Sequence, residues 1–180
     1  MVTTAPLAPS EVQARALRVR LVLTDCDGVL TDGGVYYSAR GEELKRFSFR
    51  DGMGVERLGK AGVTTAIVTG ESSECVQRRA DKLKIRAHLG VKDKAAKLDE
   101  ILASHGVSLD AVAYIGDDVN DLGAMERVRE VGLVAVPEDA MPEVARRAHY
   151  VSRVRGGYGA FRDFAEWILT ARGSGFLQSV

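Results

Sequence analysis

The stretch LVLTDCDGVLTD, residues 21–32, decides the fold. Its first four residues form an unbroken apolar run that ends on Asp25, the pattern of a strand buried on both faces rather than one with an alternating solvent face. Two carboxylates, Asp25 and Asp27, follow at the tip, with Gly28 allowing a tight turn. Two later runs have the same design: AIV ending in Thr69 and Gly70, and AYIG ending in Asp117, Asp118, Asn120 and Asp121.

Around these runs, strand-like and helix-like segments alternate. Helices are expected over 53–61, 72–84, 93–105, 119–129, a short stretch after Met141, and 159–171. Strands are expected over 63–68, 87–90, 111–116, 133–136 and 149–151. Such alternation implies right-handed βαβ units. The expected fold class is α/β, a doubly wound three-layer sandwich with a mostly parallel sheet. The segment 34–49, two alternating stretches about a Gly-containing turn, reads as a β-hairpin flap. The expected division is an N-terminal tail and a short helical or irregular lead-in over 1–18, one catalytic domain over 19–172, and a C-terminal tail over 173–180 that frays unless Phe176 and Leu177 dock on a neighbour.

Composition narrows the function. The chain has 180 residues, room for one well-cored domain, and 25 Lys and Arg balance 25 Asp and Glu. No bulk charge draws it to nucleic acid or an anionic membrane. No apolar run reaches the roughly 20 residues needed to span a bilayer, and the first ten residues lack a secretory pattern. Two cysteines without CxxC spacing give neither a disulfide framework nor a zinc site, which suits a reducing cytoplasm. Cys26 reads as a small buried residue rather than a nucleophile, and His88, His105 and His149 have no spacing that suggests catalysis.

In a parallel sheet the strand ends carrying Asp25, Thr69 and Asp117 meet at one edge, where ligands bind. Two like charges about 4 Å apart repel by about 4 kcal/mol at an effective dielectric near 20. A hard divalent cation relieves that repulsion, and oxygen-only donors point to Mg²⁺. The acids do not form an EF-hand loop, because Gly28 and Val29 stand at the fourth and fifth positions. The GVERLGKA segment, 54–61, has P-loop spacing, yet it ends in Ala61 and no strand precedes it.

Asp25 to Asp32, Thr69-Gly70, Lys94, and Gly116 to Asp121 follow one another in the order of the four motifs of the haloacid dehalogenase-like phosphatases, which the chain resembles from about residue 21 to 171. The resemblance implies a nucleophile at Asp25, which is phosphorylated, and an acid/base at Asp27. It implies phosphoryl contacts from Thr69 and Lys94, and Mg²⁺ ligands from Asp25, Asp117 and the Asp27 backbone carbonyl. Asp118 and Asp121 would orient Lys94 or metal-bound water. Plainer roles compete: turn formers at Asp27 and Asp32, a strand-end hydroxyl at Thr69, a solvated lysine at 94.

The short gaps between motifs leave no room for a cap domain. The hairpin, residues 49–52 and GGYGAFR at 156–162 resemble the 3-deoxy-D-manno-octulosonate 8-phosphate phosphatase family of the lipopolysaccharide pathway. That likeness implies a phosphorylated sugar-acid substrate and a homotetramer whose sites are completed by neighbouring subunits. The competing reading of 156–159 is a plain turn into the last helix. Glu71, with Arg79 and Lys82, is instead similar to the related 2-keto-3-deoxynononate 9-phosphate phosphatase, so the eight-carbon substrate is favoured only narrowly. Substrate contacts are expected from Arg50, Gly70, Glu71, Arg79 and Lys82, unless the last three are a solvated helix face. Two other classes are weighed: a non-catalytic oligomerisation domain, which predicts gaps in the motif set, and a response-regulator-like domain, which has no need of Asp27.

Overall fold

The computed structural model describes residues 7–173. Six parallel strands form one sheet in the order β5-β4-β1-β6-β7-β8. They are β1 (Leu21–Thr24), β4 (Thr64–Val68), β5 (Arg86–His88), β6 (Val112–Ile115), β7 (Leu133–Val136) and β8 (Tyr150–Val151). The hairpin β2 (Tyr36–Ser38) and β3 (Gly41–Leu44) pairs only with itself. This is the α/β architecture expected from the alternating pattern.

The central strands are buried along their whole length, so successive side chains supply opposite cores. Val22, Ile67, Ala113 and Ile115 pack beneath α1 (Pro9–Arg18), α2 (Phe49–Lys60), α3 (Glu74–Leu83) and α7 (Ala160–Ala171). Leu21, Leu23, Val68 and Tyr114 pack on the other face against α4 (Lys94–His105), α5 (Val119–Val131) and the short α6 (Pro142–Ala145). From β1 the chain passes to β4 on one side and later to β6 on the other. The crevice beyond β1 and β6 is therefore the switch point where ligands settle.

One segment differs from the sequence reading. Helix α2 starts at Phe49, four residues earlier than expected, because the Ser48 hydroxyl accepts from the Arg50 amide and caps the helix. Its glycines depress helix propensity, but α2 lies so close to α7 that a Cβ at Gly54 would approach the Arg162 Cα to 3.0 Å. Part of the lead-in forms α1, which buries Ala16 and sends Arg15 to the carbonyls of Arg129 and Gly132. Phe176 and Leu177 lie outside the described residues. No described helix is long and apolar enough to cross a membrane.

Candidate active site

A cavity of about 440 Å³ opens at the carboxyl end of the sheet, lined by Asp25, Asp27, Thr69, Gly70, Glu71 and Asp117 among others. A larger one, about 860 Å³, runs between α2, α3 and α4 at the opposite end of the strands and holds no carboxylate cluster. The smaller cavity, which holds the carboxylates, is the candidate active site.

Beneath its floor lies a closed set of charges. Lys94, the first residue of α4, is 1% exposed and reaches Asp25 Oδ2 at 2.8 Å and Asp121 Oδ1 at 2.7 Å. A cation at a helix N-terminus opposes the helix dipole, so these two carboxylates are what hold it there. Asp121 is saturated: Oδ1 also accepts from the Tyr114 hydroxyl at 2.7 Å, and Oδ2 from the amides of Asp117 and Asp118 at 3.1 and 3.5 Å. With its lone pairs committed, it serves as a brace and has none to offer an ion. Asp118 caps α5 and accepts from the Val119 amide at 2.6 Å.

The other carboxylates are not saturated. Asp25 Oδ1 accepts from the Cys26 amide at 2.6 Å. Asp117 Oδ1 is buried with no hydrogen-bond partner. One oxygen each from Asp25, Asp117 and Asp121 lie within 4.8 Å of one another. Burial, then the charges of Asp25, Asp121 and Asp118, push Asp117 up to about 8. Burial and Asp121 push Asp25 up to about 7 against the pull of Lys94. An orphaned carboxylate oxygen beside a second carboxylate, with only oxygen donors around it, fits a hard divalent cation.

Backbone packing fixes the loop that carries these groups. Gly28 has φ +85°, and any side chain there would occupy the space of the Asp117 carboxylate. Gly156 lies directly against the Gly28 carbonyl and Gly157 against Asp32. The glycine run thus buttresses the first motif loop, which a plain turn would not do. Thr69 is buried and its Oγ1 accepts from the Glu71 amide at 3.3 Å.

Of the substrate contacts expected from the sequence, Gly70 and Glu71 line the cavity, and Glu71 pairs with exposed Lys92 at 3.0 Å. Arg50, Arg79 and Lys82 do not line it in this chain. Arg50 lies beside Gly159. Arg79 donates to the Ser48 carbonyl at 2.8 Å, and the Lys82 ammonium sits 5.6 Å from the Phe49 ring centroid. The reason is helical rise: at about 1.5 Å per residue, α3 carries both residues away from the cavity edge. Asp51 is engaged elsewhere too, accepting from the Arg162 amide at 3.0 Å at the start of α7.

Two residues were missed in the sequence: the buried Tyr114, and the half-buried Lys45, whose side-chain nitrogen lies 2.6 Å from Asp27. A hydroxyl inside a fully buried strand was a signal for the first. Nothing local marked the second.

Fold and site together define a hydrolase of the haloacid dehalogenase superfamily. No family model matches the chain. The 3-deoxy-D-manno-octulosonate 8-phosphate phosphatase KdsC of Yersinia pestis is 41% identical over 169 residues, 93% of this chain and 88% of that protein. By this measure the chain belongs to the 3-deoxy-D-manno-octulosonate 8-phosphate phosphatase family. Among solved structures, the cobalt-bound deoxy-D-mannose-octulosonate 8-phosphate phosphatase of Haemophilus influenzae matches with TM-score 0.86 and 35% identity, covering 92% of this chain and 96% of that one. The Moraxella catarrhalis phosphatase in complex with magnesium, phosphate and KDO matches with TM-score 0.84 and 36% identity, covering 91% and 93%.

Proposed function

We infer that the chain is a magnesium-dependent phosphatase that hydrolyses 3-deoxy-D-manno-octulosonate 8-phosphate through an aspartyl-phosphate on Asp25. The observation that carries the reading is the carboxylate cluster of Asp25, Asp117 and Asp121, with one oxygen of each within 4.8 Å of the others, in which Asp117 keeps a buried oxygen without a hydrogen-bond partner. Asp25, Asp117 and the Asp27 backbone carbonyl would hold the magnesium ion. When bound, the ion neutralises charge on the phosphoryl oxygens and on the clustered carboxylates.

The Asp25 carboxylate attacks phosphorus while the bond to the sugar oxygen breaks, and a proton on Asp27 passes to that oxygen. Water then attacks the aspartyl-phosphate, returns a proton to Asp27, and releases inorganic phosphate and free Asp25. Lys94 holds the nucleophile in place and adds positive charge near the transferring group; Thr69 offers a hydroxyl to it. The motif set has no gap, which favours this reading over a non-catalytic assembly domain.

The exposed apolar residues of the hairpin and the start of α2 support a homotetramer: Tyr36, Tyr37, Leu44 and Phe49 are 66%, 70%, 63% and 84% exposed. In that assembly Arg50, Arg79 and Lys82 would act across a subunit boundary. Sedimentation velocity tests this, and a monomer at micromolar concentration would refute it. The two free thiols support a reducing, cytoplasmic setting.

Glu71 at the rim keeps a second substrate in play, since its carboxylate can accept from sugar hydroxyls. Phosphate release from the eight-carbon and nine-carbon phosphorylated acids, each with Mg²⁺, tests both. The expected result is a higher kcat/KM for the eight-carbon compound. A preference for the nine-carbon compound reverses the substrate, and no release from either ends the phosphatase reading.

A further inference from the structure

We propose that Lys45, just beyond β3 of the hairpin, is a positioning residue for the proton transfer made by Asp27; this rests on the aspartyl-phosphate reading above. Lys45 is a charged side chain only 4% exposed. Burying an ammonium costs several kcal/mol unless it is paired, and its partners are Asp27 Oδ1 at 2.6 Å and Glu42 Oε2 at 3.5 Å. The residue does not line the cavity, whereas Asp27 does, so its route to the reaction runs through the Asp27 carboxyl.

The geometry at Asp27 is one-sided. The Thr31 hydroxyl at 3.2 Å and the Lys45 ammonium both donate to Oδ1. This fixes the carboxyl plane and leaves Oδ2 for the proton in transit. When that proton moves to the sugar oxygen as the P–O bond breaks, negative charge grows on Asp27 beside a fixed cation. When water attacks the aspartyl-phosphate, Oδ2 takes its proton back. The pairing strengthens as charge develops in the first step and so acts on that transition state; in the second step the carboxylate is neutralised, and Lys45 acts there only by fixing its orientation.

Lys45 is itself held by the hairpin's docking. Glu42 accepts a hydrogen bond from the hydroxyl of Ser73, the N-cap of α3, and the Cys75 thiol lies 3.7 Å from the Glu43 carbonyl. The link runs from the loop after Thr69 through the hairpin to Asp27. The hairpin therefore contributes to the chemistry as well as to the surface.

The test compares wild-type protein, Lys45→Met, Lys45→Arg, Asp27→Asn and Lys45→Met/Asp27→Asn, all full length with Mg²⁺. Substrates are the octulosonate 8-phosphate, whose alkoxide needs a proton, and p-nitrophenyl phosphate, whose phenolate leaves without one. Lys45→Met should lower kcat/KM for the sugar phosphate by about 10²-fold, the low end of general acid–base contributions, with a much smaller loss on the nitrophenyl ester. In the Asp27→Asn background the Lys45→Met change should add nothing, since both act as a unit. Lys45→Arg keeps the buried charge and should retain most sugar-phosphate activity. It also carries the test where Lys45→Met does not fold, because any loss it shows should be confined to the sugar phosphate. Equal losses on both substrates, or an additive double variant, would overturn the proposal. A wild-type protein inert towards the sugar phosphate would instead overturn the activity on which it rests.

Discussion

Beneath the floor of the cavity, Lys94 and Asp121 sit in a set of ion pairs and hydrogen bonds closed off from water, and Tyr114 adds a buried hydroxyl. At the rim, Glu71 and Lys92 pair in the open, with side chains 62% and 74% exposed. The floor has one arrangement, because every change there strands a buried charge. The rim is adjustable, because water replaces whatever is removed. On the proposed function, the reaction would be anchored where the charges are buried, and substrate choice would be left to residues whose exchange costs little stability.

The severest test of the division is Asp25→Asn. Losing the nucleophile should lower kcat by at least about 10⁴-fold, comparable to deleting a catalytic nucleophile elsewhere, and single-turnover phosphate release measures it. Retained turnover would mean the floor does not perform the chemistry.

Next comes Lys94→Met, which leaves Asp25 and Asp121 without their cation. In magnesium-free buffer it should cost about 3–5 kcal/mol in urea unfolding. Saturating Mg²⁺ should return part of that, since the ion binds only the folded state. A neutral effect would show that the floor is not a closed charge set.

A smaller effect sharpens the role of the ion. Asp117 and Asp25 are pushed up to about 8 and 7 when no cation is present. Each must be ionised to bind the metal, so protons compete, and Mg²⁺ affinity should fall as pH drops from 8 to 6. Calorimetry in buffers of different ionisation enthalpy should detect proton release on binding; an affinity independent of pH across this range would contradict it.

The smallest stability effect belongs to the rim. Lys92→Ala removes an exposed pair worth about 0.2–1 kcal/mol at most, so the melting temperature should barely move. KM for the sugar phosphate should shift while kcat holds. A large loss of stability would erase the contrast between rim and floor.

Much of this was readable along the chain. Apolar runs ending in Asp25, Thr69 and Asp117 announced a parallel sheet, because burial on both faces writes a continuous local pattern. They announced the site as well, because parallel strands must present their ends together. The start of α2 was obscured by Gly52 and Gly54, whose low helix propensity is overridden by contact with α3 and α7. The placement of Arg79 against the Ser48 carbonyl and of Lys82 on the exposed face was hidden too, since helix direction follows from packing.

The sequence by itself determined the fold class, the order of the motifs and the chemical types that meet at the sheet edge, since each is encoded in residue type and short-range period. The motif resemblance already pointed to Asp121 as an orienter of Lys94; only the tertiary structure decided that Tyr114 shares the Asp121 carboxylate, that Lys45 meets Asp27 across 18 positions, and that Gly156 supports the loop at Gly28. Those contacts depend on which faces pack and how closely backbones approach, and no local pattern records either.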